Sequence, residues 1–176
     1  KNKKNIESLK YISNDIDILL NYSRDSIKKW VPALKDKKSI FILGKDECYS
    51  IAREASLKIK EISYIHAEAA PASSLKHGPF GLLEKGFPVI LIDIGNHNRS
   101  KMLNVYNEIK CRGADIYTIT DEINCTRDNV FILPTKSNLN DLLSIIPLQF
   151  LSFYLSISKN INPDFPRNLA KVVTVE

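Results

Sequence analysis

Apolar positions recur at spacings of three and four from Ile6 through Leu9, Ile12, Ile16, Leu19 and Leu20, which predicts an amphipathic helix over residues 6–22. A second short helix near 25–35 carries Trp30, Val31 and Leu34. Ser39-Ile40-Phe41-Ile42-Leu43 is then an unbroken apolar run stopped by Gly44, the pattern of a parallel strand buried on both faces. Helical spacing returns over 49–63, and Pro88–Ile94 is the clearest strand of the chain. That strand ends in the polar turn Gly95–Ser100, followed by a helix through Met102, Val105 and Ile109 that closes at Gly113. Residues 115–120 and 130–133 read as strands, and 139–159 as a long helix that Pro147 bends or divides. From Asn160 the sequence NINPDFPRNLAKVVTVE has two prolines and no helical period, and is expected to form an irregular arm.

Strands alternating with helices predict an α/β domain with a parallel sheet covered on both faces. Three regions follow: a helical lead-in (1–36), the α/β domain (37–160) and the C-terminal arm (161–176). Ligands of such folds bind at the carboxyl ends of the strands. A length of 176 residues fits one domain, and 26% charged residues with 44% hydrophobic ones argue against disorder. No run of about 18 apolar residues is present, so no membrane span is expected. The start KNKKNIESLK lacks the apolar centre of a secretory signal, and without an initiator Met it suggests a fragment or a processed chain.

The net charge of +5 comes from scattered basic residues, such as Lys3, Lys4, Lys28, Lys29, Lys37 and Lys38. They read as solvated faces and not as a nucleic-acid surface, although the balance suits an anionic metabolite. Cys48, Cys111 and Cys125 are odd in number and lack metal-ligand spacing. Reduced thiols in a cytoplasmic protein are the expectation.

Candidate chemistry concentrates between Glu54 and Pro79. On a helix at about 100° per residue, Ile51, Ala55, Ile59 and Ile62 form the expected core stripe, with Arg53 and Lys60 opposite. Glu54, Lys58 and Glu61 fall together along one border of that stripe. Spacing is compatible both with a surface ion pair and with a partly desolvated acid–base cluster. His66 and His77 follow within what reads as one connection; His77 has the more open context, between Lys76 and Gly78-Pro79, and His97 sits on the later strand–helix turn. Gly44-Lys45-Asp46-Glu47 has a single glycine and two acids where a dinucleotide fold places its phosphate loop, so no nucleotide cofactor is expected. No metal motif occurs either. Gly95–Ser100, with Arg99 ahead of a helix, is a weak anion-site signal that turn chemistry explains equally well.

Taken together, LKIKEISYIHAEA, LKHGP, IPLQFLSFYLSISK and PRNLAKVVTVE resemble the glutamine–fructose-6-phosphate aminotransferase (glucosamine-6-phosphate synthase) family. The likeness is to the second sugar-isomerase (SIS) domain and runs from about residue 38 to the C-terminus. It implies a three-layer α/β/α, flavodoxin-like domain with a five-stranded parallel sheet. It also implies conversion of fructose 6-phosphate and glutamine to glucosamine 6-phosphate and glutamate. By resemblance, Glu61 is the base that moves a proton between C1 and C2, and Lys58 assists at C2. His77 opens the sugar ring of the neighbouring subunit's site in a homodimer, Lys171 forms a Schiff base with the keto sugar, and Glu54 is a supporting acid. The arm around Asn168–Glu176 resembles the C-terminal loop that closes over the sugar, with Asn168 and Ala170 as substrate-binding positions.

The sequence also departs from that family. Ser73-Ser74 stands where the family reads Gly-Glu in G-E-L-K-H-G-P, which leaves the anchoring of the loop open. The glutaminase domain and the first SIS domain, with its S-x-S-G-x-T phosphate loop, are absent from these residues, so the chain alone is expected to have little activity. Two other readings are a non-catalytic phosphosugar-binding or dimerisation module and a free-standing isomerase; the retained Lys58, Glu61, His77 and Lys171 favour the enzyme.

Overall fold

The protein is described from a computed structural model covering residues 9–135 and 137–169. Helix α1 (Ile12–Ser26) runs through a 3-10 turn (Ile27–Trp30) directly into α2 (Val31–Leu34). Then come β1 (Ser39–Gly44), α3 (Glu47–Ser63) and β2 (His66–Pro71), followed by two short 3-10 segments (Ala72–His77 and Pro79–Leu82). Strand β3 (Pro88–Asp93), a 3-10 turn (Asn96–Asn98), α4 (Arg99–Lys110), β4 (Asp115–Thr120), β5 (Val130–Ile132), α5 (Asn140–Leu143) and α6 (Ile145–Ser158) complete it.

All strand pairs are parallel, in the order β2-β1-β3-β4-β5, which is the expected five-stranded flavodoxin-like sheet. Alternation along the strands divides the core in two. Ile40, Ile42, Ile90, Ile92 and Ile119 face a layer that includes Leu19, Trp30, Ala55, Ile59, Leu148 and Leu155. Phe41, Leu43, Val89, Leu91 and Ile116 face the opposite layer, with Leu75, Met102, Tyr106 and Ile109. Gly44 makes the tight β1–α3 junction possible, because a Cβ there would lie 2.2 Å from the Cys48 carbonyl oxygen.

Four expectations need correction. The connection holding His66 contains a strand, β2, which among the described residues pairs only with β1, at the sheet edge. Within the described residues α1 begins at Ile12, and Leu9 and Leu20 are exposed, so the stripe assigned to core narrows to Ile12, Ile16 and Leu19; Ile6 lies outside the described residues. The long C-terminal helix breaks at Ser144 and not at Pro147. Pro147 sits in the first turn of α6, where its missing N–H costs no helical bond. Finally, α3 buries Ala52, Ala55, Ser56, Ile59 and Ser63, while Ile51 and Ile62 are half-buried. Its core face is therefore rotated by roughly 50° toward β2 from the expected stripe.

Asn140–Ser158 is long and apolar enough to cross a membrane by length and composition. Here it is a core helix: α6 packs on α3 and α1 and buries Leu148, Leu151 and Leu155.

Candidate sugar site

The rotation of α3 decides where its charged residues stand. With the core face centred on Ala52, Ala55, Ser56 and Ile59, the Glu54, Lys58 and Glu61 side chains project outward instead of bordering the core. They do come together. The Lys58 Nζ lies 2.6 Å from Glu61 Oε2 and 3.8 Å from Glu54 Oε1. The Lys58–Glu61 pair is partly sheltered, with side chains 35% and 26% exposed. The hydrogen bond that Lys58 donates to Glu61 leads the influences that raise the Lys58 pKa; the charges of Glu61 and Glu54 add to it, while burial opposes it. Lys58 is therefore a stable ammonium at neutral pH, a donor and a positive charge and not a base.

The C-terminal arm begins at the same end of α3. The Lys159 ammonium donates to the Ser63 carbonyl (2.6 Å), filling a carbonyl left open at the helix end. Ser156 Oγ donates to Ile161 O (2.8 Å), and the Arg167 backbone N–H donates to the Tyr64 hydroxyl (2.7 Å). Sequence reasoning missed Tyr64 and Arg167, because nothing local marks a contact spanning 103 residues. Asn168 is exposed, with φ 60°. Ala170 and Lys171 lie outside the described residues.

His77 does not join Lys58 and Glu61. The chain turns at Tyr64 after α3 and runs the whole of β2 before reaching the 3-10 segment that ends at His77. Six strand residues span roughly 20 Å, so Glu61 and exposed His77 belong to opposite ends of the sheet edge. His66 sits at the Glu61 end, its Nδ1 3.1 Å from Ser39 Oγ. The loop before His77 is anchored without the family's acid: Ala72 and Leu75 are buried, and the Lys76 Nζ pairs with Glu108 of α4 at 2.8 Å.

The carboxyl ends of the strands are a different environment from the one expected. Arg99 turns inward, donating to Asp93 O (2.8 Å) and Thr120 Oγ1 (2.7 Å) and pairing with Asp121 Oδ1 (2.6 Å). The Gly95 N–H donates to both Asp121 oxygens, at 3.2 and 3.1 Å. The candidate anion site is thus already occupied by a carboxylate of the chain itself, and Arg99 is not available to a phosphate. Burial opposes the Arg99 charge, but the Asp121 hydrogen bond and the Asp93 and Asp121 charges outweigh it and raise the pKa. Fully buried Asp93 also pairs with the nearly buried Arg127 (2.7 Å). An aspartate closing an apolar strand was the one sequence signal for this cluster. Asp93→Asn is expected to lower unfolding stability by roughly 2–3 kcal/mol, since two guanidinium groups lose their shared carboxylate; urea denaturation measures it.

A cleft of about 410 Å³ beside this cluster is lined by Lys45, Glu47, His97, Asn98, Asp121 and Asp141, among others. His97, Asp46 and Glu47 each bring one ligand-type atom within 4.8 Å of the others, but all three are exposed and Asp46 is bound to Asn98 (2.7 Å) and Lys45 (3.1 Å). This is a solvated polar turn. Cys48, at its edge, is pushed up to about 12 by burial, so it is an inert thiol.

Comparison with known proteins gives a consistent picture. The SIS domain pattern matches residues 33–159. The chain is 47% identical over 161 residues to a probable glutamine–fructose-6-phosphate aminotransferase [isomerizing] of Acanthamoeba polyphaga mimivirus, covering 90% of this chain and 26% of that protein. It is 41% identical over 185 residues to the glutamine–fructose-6-phosphate aminotransferase [isomerizing] of Wigglesworthia glossinidia brevipalpis, covering 99% and 30%. The chain thus spans between about a quarter and a third of the length of these relatives. The C-terminal domain of glucosamine-fructose-6-phosphate aminotransferase from Francisella tularensis superposes with a TM-score of 0.83 at 32% identity, over 91% of this chain and 46% of that one. The tagatose-6-phosphate ketose/aldose isomerase of Escherichia coli, at 19% identity and a TM-score of 0.70, shares the fold.

Proposed function

Since the chain belongs to the SIS domain family, we propose that it is the C-terminal isomerase unit of a glutamine–fructose-6-phosphate aminotransferase. The full reaction converts fructose 6-phosphate and glutamine to glucosamine 6-phosphate and glutamate. The observation that carries this reading is the outward-facing Lys58–Glu61 pair, at 2.6 Å, on the helix end where the C-terminal arm is rooted. Glu61 is the base that shuttles a proton between C1 and C2, and the Lys58 ammonium assists at C2. Glu54 holds Lys58 from the other side. Lys171 attacks the C2 carbonyl to form an imine, releasing water, and Asn168 and Ala170 accompany it in lining the sugar.

The site is half a site. Arg99 is neutralised internally, so the sugar phosphate is held by residues outside this chain, which we assign to a preceding SIS domain. His77 stands roughly a strand length from Glu61, which favours its service to the neighbouring subunit of a homodimer. Ammonia from a glutaminase domain would displace the Lys171 amine from that imine, freeing the lysine and leaving the new nitrogen on C2, and the assembly would be cytoplasmic.

The test joins these residues to the glutaminase and first SIS domains of a relative and assays glucosamine 6-phosphate formation. Turnover supports the reading. A folded, inactive chimera overturns it in favour of a non-catalytic SIS module.

A further inference from the structure

Tyr64 is an anomaly that the helix alone does not account for. It caps α3 with φ 57° and ψ 21°, the left-handed conformation that favours glycine or asparagine at a helix C-terminus. A bulky aromatic residue persists there only where its side chain is held by something else. What holds it is the arm. The Tyr64 hydroxyl accepts the Arg167 backbone N–H at 2.7 Å, and the Arg167 guanidinium lies over the Tyr64 ring, 4.1 Å from its centroid. One residue earlier, the Ser63 carbonyl accepts from Lys159. Both ends of the segment 159–167 are therefore tied to consecutive residues at the end of α3. Tyr64 lies three residues beyond Glu61, a rise of about 4.5 Å along the helix.

We propose that Tyr64 and Arg167 form a clamp that fixes where the C-terminal arm leaves α3, making Tyr64 a positioning residue for the sugar site. This rests on the function proposed above. The clamp touches neither sugar nor reacting atoms. It sets the starting point of the last residues, of which Lys171 is the fourth after Arg167. When the clamp is open, the arm root wanders and only a fraction of molecules presents a competent site. The apparent affinity for the sugar then falls by that fraction, while saturating sugar restores the competent state. The signature is a change in KM with little change in kcat.

Tyr64→Phe keeps the ring, the backbone and the stacking on Arg167 and removes only the hydroxyl acceptor. In the 176-residue chain, hydrogen exchange at the residue 167 amide should accelerate by roughly five-fold, the loss of one ordinary hydrogen bond. In the assembled enzyme, KM for fructose 6-phosphate should rise by roughly five-fold, with kcat changing less than two-fold. Arg167→Ala, which removes the stacking and keeps the backbone N–H, should move KM in the same direction. An unchanged KM in both variants, whatever happens to the melting temperature, overturns the clamp and leaves Tyr64 a structural residue. So does unchanged exchange at residue 167 in Tyr64→Phe. A wild-type assembly that shows no turnover and traps no sugar overturns the function reading instead, and the exchange measurement still reports whether the contact exists.

Discussion

Replacing Glu61 by Gln should slow glucosamine 6-phosphate formation by roughly 10²- to 10⁴-fold in the assembled enzyme while leaving the fold intact. Glutamine has the same shape and still accepts a hydrogen bond from Lys58, but it cannot take a proton from C1 and return it at C2. The two properties separate because the pair matters little to stability. It is an i,i+3 contact on the outward face of α3 with both side chains partly exposed, and such pairs contribute about 0.2–0.5 kcal/mol. Thermal melting should therefore barely move. The substitution also removes the Glu61 negative charge, one of the influences raising the Lys58 pKa, so that lysine should titrate lower and react faster with acylating reagents at a given pH. Solvent-deuterium incorporation at C2 of the product isolates the proton-transfer step. Near-normal incorporation in Glu61→Gln would remove Glu61 from the base's role, whatever the overall rate.

How far the sequence carried these conclusions depended on the range of each interaction. Four strands were legible because β1, β3, β4 and β5 are rich in β-branched and aromatic residues with short polar ends. Strand β2, HAEAAP, was not, since alanine, glutamate and proline are poor strand formers and an edge strand has only one neighbour to satisfy. The face of α3 was misjudged because its closest approach to the sheet uses small residues. Ser56 Oγ donates to Ala67 O (2.7 Å) and Ser63 Oγ to Ile59 O (2.7 Å), so both serines are buried with their hydroxyls satisfied, and a hydrophobicity pattern passes over them.

The same distinction governs the site. Glu54, Lys58 and Glu61 share one helix, so their meeting was visible at spacings of four and three. At Arg99 the sequence leaves an anion site and ordinary turn chemistry equally open, because the carboxylate that closes on it, Asp121, comes 22 residues later and from a different strand end. The neutralised turn then has functional weight. Under the proposed function, a domain that has filled its own strand–helix anion position would not anchor the sugar phosphate there, and the outward Lys58–Glu61 face would meet a second unit to enclose the sugar.

Replacing Lys171 by Arg should abolish the borohydride-trapped adduct with fructose 6-phosphate in the assembled enzyme and reduce turnover to the background of the reaction without imine. An imine needs a neutral amine with a lone pair, and lysine reaches that state from a reference pKa near 10.4 once neighbouring charge or desolvation assists it. Arginine keeps the positive charge and the length but remains protonated and has no free amine to offer. The reach is adequate. Residue 171 is four residues beyond Arg167, whose N–H is held by Tyr64, so the chain can extend at most about 14 Å from that anchor. Glu61 lies only one helical turn before Tyr64, well inside that radius. Lys58, on the same face, is held charged by Glu61 and is a poor imine former at neutral pH. The two lysines thus make opposite predictions under one reagent. Trapping mapped to Lys171 and lost in Lys171→Arg supports the division of labour between them, whereas an adduct that persists in the mutant and maps to Lys58 would exchange their roles.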